Sequence, residues 1–188
     1  MILDRNIQYK YKTEFIPVTS FNSFGGTANS ASSTAALVEA GGDNGYSALT
    51  MDADADFARL VMPVPSQWDT NNDIFFRVVY VDTGAGGSVD YDLLFKQSAF
   101  GAAISGSVAT GTLDTAIPVD TSAGSDALDA TAWGKMDGGT LTDDVICIDV
   151  SSANGGTTAT ELVGLEVAYL PKLTGGAQHK LTSDPTDA

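Results

Sequence analysis

The sequence predicts an all-β fold, a sandwich or barrel of about eight short antiparallel strands. Three observations point there. Apolar residues recur at every second position in several separate runs, the period of a half-buried strand. Gly, Asp, Asn, Ser and Thr fill the gaps between those runs, as turn chemistry requires. The acids are 20 Asp against 4 Glu, and Asp competes for backbone hydrogen bonds in turns where Glu would support helices.

Taken in order, residues 1–45 read as an N-terminal arm and a long loop. Within them 7–18 alternate in part, Ile7, Tyr9 and Tyr11 against Gln8, Lys10 and Lys12, which fits an extended arm or an edge strand. Residues 22–45 are Gly-, Ser-, Ala- and Asn-rich around one apolar patch at Ala35–Val38, a loop with room for one short strand or helical turn. The sandwich body spans 46–170. Tyr46–Met51 and Phe57–Met62 flank the acidic run 52–56. In Ile74–Val81, Phe76, Val78 and Tyr80 share one face and Phe75, Arg77, Val79 and Val81 the other. With Arg77 its only charge, that strand is expected to be covered on both faces.

Val89–Lys96 sets Val89, Tyr91, Leu93 and Phe95 against Asp90, Asp92, Leu94 and Lys96, one dry face and one wet. Residues 98–143 are softer, with one or two strands around Ile104, Val108, Leu113, Ile117 and Val119. Ala127–Met136, which holds Trp133, reads as a short helix or an irregular crossing. Asp144–Val150 aligns Ile146, Ile148 and Val150. Thr160–Leu170 aligns Val163, Leu165, Val167 and Tyr169. Residues 171–188 read as a C-terminal tail.

A chain of 188 residues suits one domain that buries roughly 70% of its unfolded surface. The net charge of −15 argues against nucleic acid and anionic membrane as partners, since both require basic surface. Residues 1–12 carry +2 and leave −17 for the remainder, so a mildly basic end sits on an acidic body. Cys147 is the one cysteine, which excludes an intrachain disulfide; its apolar run suggests a buried thiol. The start lacks the pattern of a secretory leader. The apolar runs fall far short of the ~20 residues that span a bilayer.

Catalytic constellations are scarce. His179 is the one histidine and lies in the tail, so Ser-His-Asp and Cys-His arrangements and zinc sites of the Cys/His type lack members. Asp52, Asp54 and Asp56 share a face if extended and could bind Ca²⁺, although a solvated connector is the commoner use of such a run. Asp69, Asn71 and Asp73 imitate the opening of an EF-hand loop, but Ile74 stands where that loop needs Gly and Tyr80 where it needs Glu. Asp69 is therefore read as a turn cap before the strand at Ile74. Gly84–Gly87 reads as a hairpin loop rather than a phosphate loop. No spacing selects a carboxylate pair for glycosidase chemistry. Trp68 and Trp133 could each stack on a sugar, or serve as core. No enzyme activity, cofactor or metal is expected.

The stretch Met62-Pro63-Val64-Pro65-Ser66-Gln67-Trp68-Asp69, followed by Asp73–Tyr80, resembles a pattern in jelly-roll virion proteins of tailed bacteriophages. There a strand ends in a proline turn, an aromatic-Asp pair follows, and a second Asp opens the next strand. Leu162–Tyr169 resembles the closing strand of such domains, and the likeness covers roughly 110 residues between 57 and 170. It implies a jelly-roll-like antiparallel β-sandwich, often trimeric, that decorates or cements the outer surface of a capsid, with the major capsid protein as partner and the virion surface as location. The alternative is a carbohydrate- or receptor-binding module of a tail or fibre, using Trp68 or Trp133. Arg5, Tyr9, Lys10, Tyr11, Lys12 and Phe15 lie outside the resemblance; as a basic and aromatic arm they are expected to contact the partner.

Overall fold

A computed structural model describes residues 11–24, 37–39, 45–51, 57–69, 71–82, 90–98, 111–118, 127–136, 145–152 and 160–172. Among these residues the chain forms two antiparallel sheets. The seven-stranded sheet is built on β6 (Ile74–Asp82) and β12 (Thr160–Tyr169), which pair along their length. Beyond β12 lie β4 (Ser47–Met51), then β3 (Leu37–Glu39), at one end, and β1 (Lys12–Pro17) at the other. Beyond β6 lie β9 (Ala127–Ala130) and β10 (Gly134–Met136). The five-stranded sheet runs β2 (Asn22–Phe24), β5 (Phe57–Pro63), β11 (Val145–Ser152), β7 (Asp90–Ser98), β8 (Gly111–Pro118).

Alternation places the core between the sheets. Ile74, Phe76, Val78 and Tyr80 of β6 and Leu162, Leu165, Val167 and Tyr169 of β12 meet Leu60, Tyr91, Leu93, Ile146, Ile148 and Val150 from the opposing sheet. Each such side chain contributes roughly 1.5–3 kcal/mol by leaving water. Tyr91 is fully buried and its hydroxyl is 2.6 Å from Thr160 Oγ1; burial holds its pKa well above the usual phenol range. As the sequence implied, β6 is covered on both faces: Phe75, Val79 and Val81 are also buried, the two valines in a second cluster with Ala48 and Val163.

Among the described residues eight strands have five residues or more, in line with the about eight that the sequence indicated; β2, β3, β9 and β10 have three or four, too few for a period to show. Among the described residues β1, β2 and β3 fall in 1–45 and contribute to both sheets. Ala127–Met136 is not a helix but two short strands on β6, separated by Thr131–Trp133. In β12 the register slips between Leu162 and Gly164. Leu162 therefore joins Leu165 and Val167 in the main core, and Val163 turns to the outer cluster instead of sharing their face. Cys147 is partly exposed, not buried, because Ile146 and Ile148 take the inward positions of β11.

Trp68 is wholly buried, and its indole N–H donates to the Asn72 carbonyl at 3.1 Å. It is a core residue and offers no stacking face. Asp69 does cap the turn: Oδ1 accepts from the Asn71 amide at 3.1 Å and Oδ2 from Asn72 Nδ2 at 2.9 Å. Among the described residues no group of three or more His, Cys, Asp or Glu is placed to hold a metal. Asp52, Asp54, Asp56, His179, Gly84–Gly87 and the tail from 173 lie outside the described residues.

Candidate binding surface

The outer face of the seven-stranded sheet carries one row of side chains in register across four chain segments. Phe15 in β1 lies opposite Glu166 in β12, and Glu166 lies opposite Arg77 in β6. Gly134 pairs with Phe76, which brings the preceding Trp133 alongside Arg77. Strands spaced about 4.8 Å apart put the ends of this row, Phe15 and Trp133, roughly 14 Å apart. Arg77 Nε donates to Glu166 Oε2 at 2.5 Å, and its guanidinium lies 4.6 Å from the Trp133 ring centroid. Such stacking is attractive through the ring quadrupole. Phe15 is 48% exposed, and Trp133 is partly exposed.

Local chemistry fixes both ends of the row. Thr131, buried between β9 and β10, donates its amide to the Val78 carbonyl at 2.9 Å and accepts the Val78 amide on Oγ1 at 3.0 Å. Its hydroxyl donates to the Ala132 carbonyl at 2.9 Å. This side chain replaces a rung of the ladder where β9 stops and β10 has not begun, and so holds Trp133 beside Arg77. At the other end a Cβ on Gly164 would lie 2.5 Å from the Ile16 carbonyl oxygen and 2.6 Å from the Phe15 ring. The missing side chain is what lets β1 and its phenyl ring lie flat on β12. Next to the row, Tyr11 packs edge-to-face on Phe75 with centroids 5.4 Å apart.

The other face of β1 opens on a pocket of about 360 Å³ between β1, the end of β12 and the turn after β5. Lys12 Nζ is 2.5 Å from Glu14 Oε1 and donates to Gln67 Oε1 at 3.5 Å. The Tyr169 hydroxyl donates to Glu14 Oε1 at 2.7 Å. These bonds, that from Lys12 first, hold the Glu14 pKa below the usual carboxylate range. The Glu14 bond raises that of Lys12. Burial, with the bond to Glu14, raises that of Tyr169. On the five-stranded sheet, Arg59 grips Asp149 with two bonds of 2.6 and 2.8 Å, which raise the Arg59 pKa further.

Of the residues expected to contact a partner, Lys12 and Phe15 lie in β1 and Tyr11 directly before it, but on opposite faces, Tyr11 and Phe15 outward and Lys12 into the pocket. Arg5, Tyr9 and Lys10 lie outside the described residues. Sequence reasoning did not single out Arg77, Glu166 or Thr131 as site residues. Arg77 was visible as the lone charge in a strand apolar on both faces. Nothing local marked Glu166 as its partner.

No family model matches the chain, and no curated protein does. Among solved structures it is similar to a CBM36 domain of a multidomain xylanase from the hindgut metagenome of Trinervitermes trinervoides, with a TM-score of 0.51 and 11% identity over 89% of this chain and 100% of that one. It is similar also to the xylan-binding module CBM15, with a TM-score of 0.52 and 8% identity over 87% of this chain and 100% of that one. A third likeness, TM-score 0.52 and 8% identity, covers 85% of this chain but 29% of an exo-β-1,3-galactanase from Phanerochaete chrysosporium crystallised with galactose. At these identities the likeness is one of fold: the chain is an antiparallel β-sandwich of the kind seen in carbohydrate-binding modules.

Proposed function

We propose that the protein is a non-catalytic carbohydrate-binding module that holds a neutral polysaccharide along the outer face of its seven-stranded sheet. The row Phe15–Glu166–Arg77–Trp133 carries this reading. Its two aromatic ends offer flat apolar area to the C–H faces of sugar rings, and the ion pair between them offers donors and acceptors to hydroxyl groups. Arg77 is already neutralised by Glu166, so the row has no surplus charge for an acidic chain. The fold likeness to the xylan-binding module CBM15 supports the same reading. The resemblance to virion jelly rolls supports the sandwich, but no particular observation favours a capsid lattice or a trimer. A virion setting would suit a glycan-binding module equally, as a receptor-binding part of a tail or fibre.

Affinity gel electrophoresis with soluble xylan, β-1,3-galactan and mixed β-glucan tests the proposal. At least one polysaccharide should retard the wild-type protein. Trp133→Ala should weaken that binding tenfold or more, a loss of about 1.4 kcal/mol. Absence of retardation by all three, or full binding by a folded Trp133→Ala variant, would reject it.

A further inference from the structure

We infer that the pocket behind β1 is a second, separate site, which takes a single neutral sugar residue or a polyol of that size. Its volume of about 360 Å³ lies at the small end of the range for pockets that hold small molecules. Pro63 and Pro65 form rigid apolar walls, and Lys12, Glu14, Gln67 and Tyr169 supply the polar lining. That mixture suits a ring with C–H faces and hydroxyl edges.

The hydrogen-bond inventory narrows the class. Glu14 Oε1 takes both Lys12 and the Tyr169 hydroxyl. Among the described residues Glu14 Oε2 and the Gln67 amide nitrogen make no hydrogen bond, and both side chains line the pocket, so it offers an acceptor and a donor. Two neighbouring hydroxyls can engage such a pair, one donating and the other accepting. An anion would find Lys12 already neutralised by Glu14, and a cation would find Glu14 neutralised by Lys12. An apolar ligand would strip water from these polar groups without replacing their hydrogen bonds.

This inference stands on the pocket's own groups and not on the outer-face row, because the two lie on opposite faces of β1. Saturation-transfer NMR on the full chain, with D-xylose, D-glucose and D-galactose in turn, tests it. At least one sugar should give saturable binding. Gln67→Ala should weaken it tenfold or more while Trp133→Ala leaves it unchanged. Gln67 is the variant of choice because its side chain makes one long bond to Lys12, and an unchanged thermal midpoint would verify its fold. Three results overturn the inference: no saturable binding of any of the three sugars, binding unaffected by Gln67→Ala, or binding lost in Trp133→Ala whether or not Gln67→Ala also loses it. A pocket that binds a monosaccharide while the protein ignores all polysaccharides would separate this inference from the proposed function.

Discussion

At the scale of single residues, Gly164 sets how closely β1 lies on β12. A methyl group there would strike both the Phe15 ring and the Ile16 carbonyl oxygen. The ring can rotate away, but the carbonyl is backbone and β1 would have to move. Gly164→Ala is therefore expected to destabilise the protein by about 1–3 kcal/mol, read as a lowered midpoint in urea. Adding Phe15→Ala should not restore it, because the Ile16 contact remains. An unchanged midpoint would mean that β1 does not dock on β12 as described. Little of this was legible beforehand: the alternation of 160–170 does not mark Gly164, and its constraint comes from a segment far away in sequence. The two tryptophans make the same point. Sequence alone offered both as stacking platforms, and only burial separates Trp68, fixed in the core by Asn72, from Trp133 at the surface.

At the scale of elements, the long strands were readable because they are long enough for a period of two to repeat. Ile74–Val81 and Asp144–Val150 were placed within two residues of β6 and β11 at either end. The β9–Thr131–β10 segment was not readable, since strands this short have no measurable period and owe their existence to the edge of β6. Thr131 is the element's hinge pin, and its removal gives a specific expectation. Thr131→Val leaves the Val78 amide without its acceptor, a loss of about 1–3 kcal/mol. It should also weaken polysaccharide binding by freeing Trp133. Thr131→Ser, which keeps the hydroxyl, should bind as the wild type does. Equal binding by all three proteins in the gel assay would show that Thr131 does not position Trp133. The bulge at Val163 escaped the sequence for a related reason, because strict alternation predicts an unbroken strand.

At the scale of the whole molecule, charge separates the candidate partners. The net −15 repels polyanions, while the pairs Lys12–Glu14, Arg59–Asp149, Arg77–Glu166 and Lys135–Asp73 each bring a cation to a carboxylate. Binding of a neutral polysaccharide should therefore change less than threefold between about 0.05 and 0.5 M NaCl, because salt screens only charge–charge terms. A steep fall in affinity over that range, measured by calorimetry, would point to an acidic ligand instead. The net charge and the absence of a His or Cys cluster were legible in composition. The pairing of cations was not, because partners such as Arg59 and Asp149 meet only when β5 and β11 lie side by side.

The placement of β1 has a consequence of a different kind. Its outer face presents Phe15 and its inner face presents Lys12 and Glu14, and among the described strands it pairs with β12 alone. A molecule held on either face also opposes detachment of the strand. Occupancy of one surface thus favours the docked form that the other requires, and the two are thermodynamically linked without sharing an atom.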